Sequence, residues 1–181
     1  MAELLKATGI YYRNELRSIH KNGVKLQPVY EAFTNSWESI REKYTAEHLN
    51  LGSIVIEFHY DAGMFEEDYE NNLKNLQKII ITDNGIGLNE ESFTRLLNLR
   101  DNSKSKNNKG TGRIQFLHYF DDTIFESVYK VGDNNYRKIC LTLSKKESFL
   151  QANAILRKDS DEETNIDNTY AKVELHTILD Y

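Results

Sequence analysis

Residues 27–44 place Val29, Phe33, Trp37 and Ile40 at intervals of four, four and three. That spacing predicts an amphipathic helix with these four as its buried stripe, and Pro28 suits its first turn. A polar row, Glu31, Asn35 and Glu38, runs beside the stripe. At about 100° per residue the three lie within about 60° of each other, so two carboxylates and an amide project in one direction. On its own such a row is equally a solvated face.

The period then changes to two. Residues 53–60 put Ile54, Ile56, Phe58 and Tyr60 on one side, which predicts a strand with one face more buried. Residues 79–82, Ile-Ile-Ile-Thr, predict a strand in the middle of a sheet. Asp83 follows at its carboxyl end, where ligands of open α/β sheets tend to sit. Gly85 and Gly87 let the backbone turn and approach a flat ligand with no Cβ in the way. An ionised Asp83 only accepts hydrogen bonds, so it suits an exocyclic amine such as that of adenine. Asp-Asn-Gly is also a hairpin signal. Residues 90–99, however, carry Phe93, Leu96 and Leu97 at helical spacing, with Asn89 placed to cap them, so a helix rather than a returning strand is expected.

Around these landmarks the pattern is plainer. Residues 2–19 read as helical, with Leu4, Leu5, Ile10, Tyr11 and Leu16 available for an apolar face. Residues 61–75 are acidic and read as a surface loop. Residues 100–110 hold Arg100, Lys104, Lys106 and Lys109 against the single acid Asp101 and no large apolar side chain. That composition predicts a flexible loop, and cations on such a loop can fold over a polyphosphate. Lys109-Gly110-Thr111-Gly112-Arg113 precedes an apolar segment with Ile114, Phe116, Leu117, Tyr119 and Phe120. A glycine-rich loop feeding a helix offers N–H groups and a dipole to an anion, although neither the Walker nor the Rossmann spacing is met. Strands are expected at 123–131, 136–143, 148–157 and 170–178, with a hairpin turn at 132–135 and a polar loop at 159–168. The expected fold is α+β: a helical segment over 1–26, then one domain over 27–181 with a mixed sheet, helices on one face, and a nucleotide between the helices and a lid.

Composition narrows the class. A chain of 181 residues is long enough for one domain with a sizeable core. Lys and Arg total 23 against 28 Asp and Glu, a formal charge of −5, which gives no support for broad attraction to nucleic acid or an anionic membrane. The single cysteine, Cys140, makes no internal disulfide and no zinc cluster, and its apolar neighbours predict a core position. No signal-peptide pattern and no apolar run of about 20 residues is present, so a cytoplasmic protein is expected.

Taken in order, these segments resemble the GHKL superfamily of Bergerat-fold ATPases, which joins gyrase, heat-shock chaperones, histidine kinases and MutL. The resemblance covers about residues 27–178 and leans to the chaperone and MORC-like branch. Residues 31–38, Glu-Ala-Phe-Thr-Asn-Ser-Trp-Glu, are similar to the family's N box. Residues 83–88, Asp-Asn-Gly-Ile-Gly-Leu, match its first glycine box, and residues 109–112 stand where its second glycine box follows the lid. The resemblance implies ATP and Mg²⁺ as ligands. It makes Glu31 the general base on the attacking water, Asn35 the Mg²⁺ ligand, and Glu38 a neighbour of the nucleotide. Asp83 would hold the adenine amino group beside Gly85 and Gly87. Asn98 and Lys104 would serve as lid contacts, and Gly110, Thr111, Gly112 and Arg113 as the phosphate cradle. Thr169 would be a further adenine contact. Two departures stand out. Arg113-Ile114-Gln115 replaces later family glycines, and Tyr170-Ala171 stands where the chaperones carry Gly-Thr. The implied activity is Mg²⁺-dependent ATP hydrolysis by a nucleotide-gated homodimerising module, slow in isolation. It would be the amino-terminal part of a longer protein whose downstream domains are missing here, with a bacterial defence or MORC-like protein as one setting. No membrane partner is implied, and nucleic acid is left open. A histidine-kinase catalytic domain and a nucleotide-binding interaction domain without turnover are the alternatives.

Overall fold

A computed structural model describes residues 2–7, 9–21, 23–24, 26–61, 76–97 and 112–179, with backbone alone at Gly112 and Arg113. A short strand, β1 (Glu3–Lys6), and a short helix, α1 (Tyr12–Ser18), precede the long helix α2 (Gln27–Lys43). A 3-10 helix at Ala46–Leu51 leads into β2 (Ile54–Tyr60); β3 (Leu76–Asp83) and α3 (Glu90–Leu97) come next. The rest is α4 (Gly112–Tyr119), β4 (Phe120–Lys130), β5 (Tyr136–Ser144), α5 (Glu147–Gln151), β6 (Ala154–Thr164) and β7 (Tyr170–Ile178).

The α+β class is as expected, but the sheet is not mixed. Its seven strands run in the order β1-β6-β5-β4-β7-β3-β2, and every pairing among the described residues is antiparallel. β3 and β4, the strands flanking α3 and α4, do point the same way. β7 lies between them and is antiparallel to both, so no parallel neighbours arise.

Register fixes the two faces. One transverse row crosses all seven strands: Leu5, Leu156, Leu143, Thr123, Leu175, Ile79 and Phe58. This face meets α2 and α4, whose Val29, Ala32, Ile114 and Leu117 join Ile79, Ile81 and Leu175 in the core. The opposite face alternates charge. Lys78 and Lys172 flank Glu174 at 3.5 and 3.1 Å, and Lys172 and Lys138 flank Glu126 at 3.2 and 3.0 Å. Cys140 belongs to this second face, in register with Glu126 and Ser160. It is half-buried rather than a core residue.

Three other expectations change. Residues 2–19 are not one helix, because residues 3–6 form β1 and pair with β6. Asn153 holds the joint that follows: its Oδ1 accepts the Tyr12 N–H at 3.0 Å and its Nδ2 donates to the Ile10 carbonyl at 2.8 Å. The strand expected at 148–157 begins as α5, and β6 then runs on to Thr164 through part of the expected polar loop. On α2 the buried line is Pro28, Val29, Ala32, Ser36 and Ile40, whereas Phe33 and Trp37 are 44% and 43% exposed. The helix approaches the sheet over small side chains, which leaves no room for two large rings on that line.

Candidate functional site

α2 lies over the carboxyl end of β3, and the loop after Asp83 is clamped between that helix and strands β4 and β7. Asp83 sits on the helix-covered face, in register with Ile54 and Ala171. It is only 4% exposed. Its Oδ2 accepts from the Ser36 hydroxyl at 2.7 Å and its Oδ1 from the Gly85 N–H at 2.9 Å. Burial raises the Asp83 pKa above the ordinary aspartate value; the Ser36 and Gly85 hydrogen bonds and the Lys43 charge oppose that rise.

The two glycines serve packing at this point. A Cβ on Gly85 would stand 2.7 Å from the carbonyl carbon of Ser39. Gly87 has φ +77°, and a Cβ there would collide with the Val128 carbonyl and lie 2.8 Å from the Ser127 hydroxyl. Only glycine combines that φ with so close an approach. The loop's own N–H groups are then satisfied by serines. Ile86 donates to Ser39 Oγ at 3.0 Å and Leu88 to Ser127 Oγ at 2.8 Å. Asn84 fastens the other flank, accepting from the Ser53 N–H at 2.8 Å and donating to the Leu51 carbonyl at 2.9 Å. Lys43 Nζ donates to the carbonyls of Asn84 at 2.7 Å and Thr169 at 3.3 Å. The Thr169 hydroxyl donates to the Gly85 carbonyl, so it braces the loop in this structure.

Glu31, Asn35 and Glu38 occur on one flank of α2, adjoining the line that meets this loop. Glu31 and Glu38 are half-buried and Asn35 is exposed. Glu31 Oε1 accepts from Gln27 Nε2 at 3.2 Å, one turn earlier. The structure therefore brings Asp83, Gly85, Gly87 and Thr169 together beneath α2, with the Glu31 row beside them. Gly112 opens α4. The side chain of Arg113, and all of Asn98, Lys104, Gly110 and Thr111, lie outside the described residues.

Sequence reading missed Ser36, Ser39 and Lys43, which make the contacts between α2 and the loop. Their spacing of three and four is a helical row in its own right, hidden because Ser and Lys pass for solvated positions. Ser127 gave no signal at all; it becomes visible only when β4 is laid beside β7, where its hydroxyl also donates to the Tyr170 carbonyl at 2.7 Å.

Among the described residues no three or more His, Cys, Asp or Glu side chains group to hold a metal ion, and no helix is long and apolar enough to cross a membrane. No protein-family model matches the chain, and no curated protein matches it significantly.

Proposed function

We propose that the chain is a nucleotide-binding module of Bergerat type that binds ATP with Mg²⁺ and hydrolyses it, the bound nucleotide gating association with a second copy. The observation that carries the reading is the buried Asp83 carboxylate at the carboxyl end of β3, oriented by Ser36 and Gly85 beneath α2. An acceptor-only group in an apolar setting discriminates strongly for a ligand amine, because a ligand without one leaves the charge unpaired. Asp83 would take the adenine amine, and the fixed 84–88 loop would set the plane of the base.

The α2 row supplies the polar chemistry. Asn35 offers an exposed hard oxygen one turn from two carboxylates, a donor set that fits an ion keeping most of its water and meeting the protein at one or two ligands. When bound, Mg²⁺ neutralises charge on phosphate oxygens. Glu31, held by Gln27, would orient the attacking water and accept its proton.

Calorimetric titration with a non-hydrolysable ATP analogue and Mg²⁺ tests the reading. Saturable binding is expected for the parent chain and not for Asp83→Asn, whose amide presents a donor in place of one acceptor. No binding by folded parent protein overturns it. Glu31→Ala should keep binding and lower turnover by about 10²–10⁴-fold; unchanged turnover would remove Glu31 from the chemistry.

A further inference from the structure

β2 ends the sheet: it pairs with β3, and no described strand lies on its other side. It is an unusual edge. Protected edge strands are short or carry lysine, proline or inward charges. β2 has seven residues, no lysine and no proline; its single formal charge is Glu57, and its register with β3 shifts only past His59. Val55 and Phe58 are 50% and 46% exposed, and Ile56 and Tyr60 are exposed as well. By contrast the opposite edge, β1, has four residues and a charge at each end.

The aromatic flank of α2 borders the same edge. Going round that helix, Ser39 meets Gly85, Ser36 meets Asp83, and Ile40 lies against Gly52, just before β2. At about 100° per residue, Phe33 and Trp37 come next in the same sense, beyond the line to Gly52 and so over the β2 side. Tyr30, Phe33 and Trp37 are all exposed.

We propose that β2 pairs antiparallel with β2 of a second copy of this chain about a two-fold axis through Phe58, making one continuous sheet with both α2 helices on the same face. Complementary side chains, a carboxylate acceptor facing an imidazole N–H donor, select that register. Glu57 and His59 share the open face of β2, beside Ile80 and Lys78. An axis at Phe58 sets Glu57 opposite His59 of the second copy, twice, and Ile56 opposite Tyr60. An axis at Glu57 opposes two carboxylates, and one at Ile56 sets Glu57 against Val55. A shift by a single residue puts open-face positions opposite helix-face ones. The contact is isologous and closes at two copies. It brings the two Phe33–Trp37 flanks toward each other across the axis, and it is a contact separate from the nucleotide-gated association proposed above, formed without nucleotide.

Sedimentation velocity of the full chain without nucleotide, from micromolar to hundreds of micromolar, tests this, with Trp37 fluorescence as a second readout because it is the only tryptophan. A reversible dimer with a Trp37 emission shift on dilution is expected. Phe58→Lys, at an exposed position, should abolish the dimer while the melting temperature is retained. Glu57→His or His59→Glu alone opposes like groups and should weaken dimerisation by roughly 2- to 30-fold, and the double exchange should restore it. A monomeric parent, a dimer indifferent to Phe58→Lys, single exchanges that the double does not rescue, or open-ended growth beyond two copies would each overturn the proposal.

Discussion

Asp83 illustrates how a single side chain can oppose the fold that holds it. Its burial raises its pKa, so the folded state binds the proton more tightly than the unfolded chain does. The stability linked to the protonated form is complete below the ordinary aspartate pKa and is lost as pH rises through the folded value. At neutral pH the carboxylate therefore weakens the unliganded protein. Asp83→Asn removes the charge and keeps the shape, and the Ser36 hydroxyl can rotate to accept from the new amide. The unliganded variant should melt higher than the parent at pH 7, by about 2–4 °C for each kcal/mol recovered in a domain of this size. Scanning calorimetry of both proteins decides it. A lower melting temperature would mean that the hydrogen bonds from Ser36 and Gly85 outweigh desolvation. Stability gained where ligand binding is lost would mark Asp83 as a residue held for a ligand rather than for the fold.

At the scale of elements, the 84–88 loop is a rigid insert between α2 and β4. Gly87→Ala places a Cβ against the Val128 carbonyl at a φ of +77°, and should destabilise by about 2 kcal/mol or more. Gly132→Ala, in the β4–β5 turn, meets nothing nearer than Asn135 Nδ2 at 3.9 Å and should stay within about 0.5 kcal/mol of the parent. Urea titrations of the two variants give the comparison; equal effects would mean that the loop yields. This tight packing also explains which elements the sequence made legible. β3, Asp83 and the glycine turn were readable because one short segment carries the β-branched run, the carboxylate and the missing side chains. α2 was readable as a helix, but not its buried side: periodicity reports apolar positions, whereas the sheet accepted Ala32 and Ser36 and turned Phe33 and Trp37 outward. β1 and the far half of β6 were not readable. β1 is a four-residue strand that owes its conformation to a partner about 150 positions away, and β6 runs on along charged residues that pair with β5. Antiparallel order was likewise invisible, since it depends on where β7 returns.

The whole molecule has one helix-covered face and one face closed by ionic side chains. On the second face, burial alone would raise Glu126 and Glu174. The hydrogen bonds from Lys138, Lys172 and Tyr170 to Glu126, and from Lys172 and His176 to Glu174, outweigh it and hold both carboxyls below the ordinary glutamate range. The sign is opposite to that of Asp83. These groups contribute stability above the ordinary glutamate pKa of about 4.3, and it is lost as pH falls through their folded values. The face is thus an acid-labile seam joining β3, β7, β4 and β5. Glu126→Gln isolates it, because the amide keeps the shape and one acceptor but cannot pair with two lysines. At pH 7 the variant should be less stable by a few tenths to about 1 kcal/mol, the range of partly exposed ion pairs. As the pH is lowered from 7 to 3, the parent's Glu126 protonates and comes to resemble the amide, so the two urea curves should converge. A difference that persists undiminished at pH 3 would place the effect in packing rather than charge. A difference that widens in acid would reverse the sign assigned to Glu126 and remove the seam from the account of acid stability.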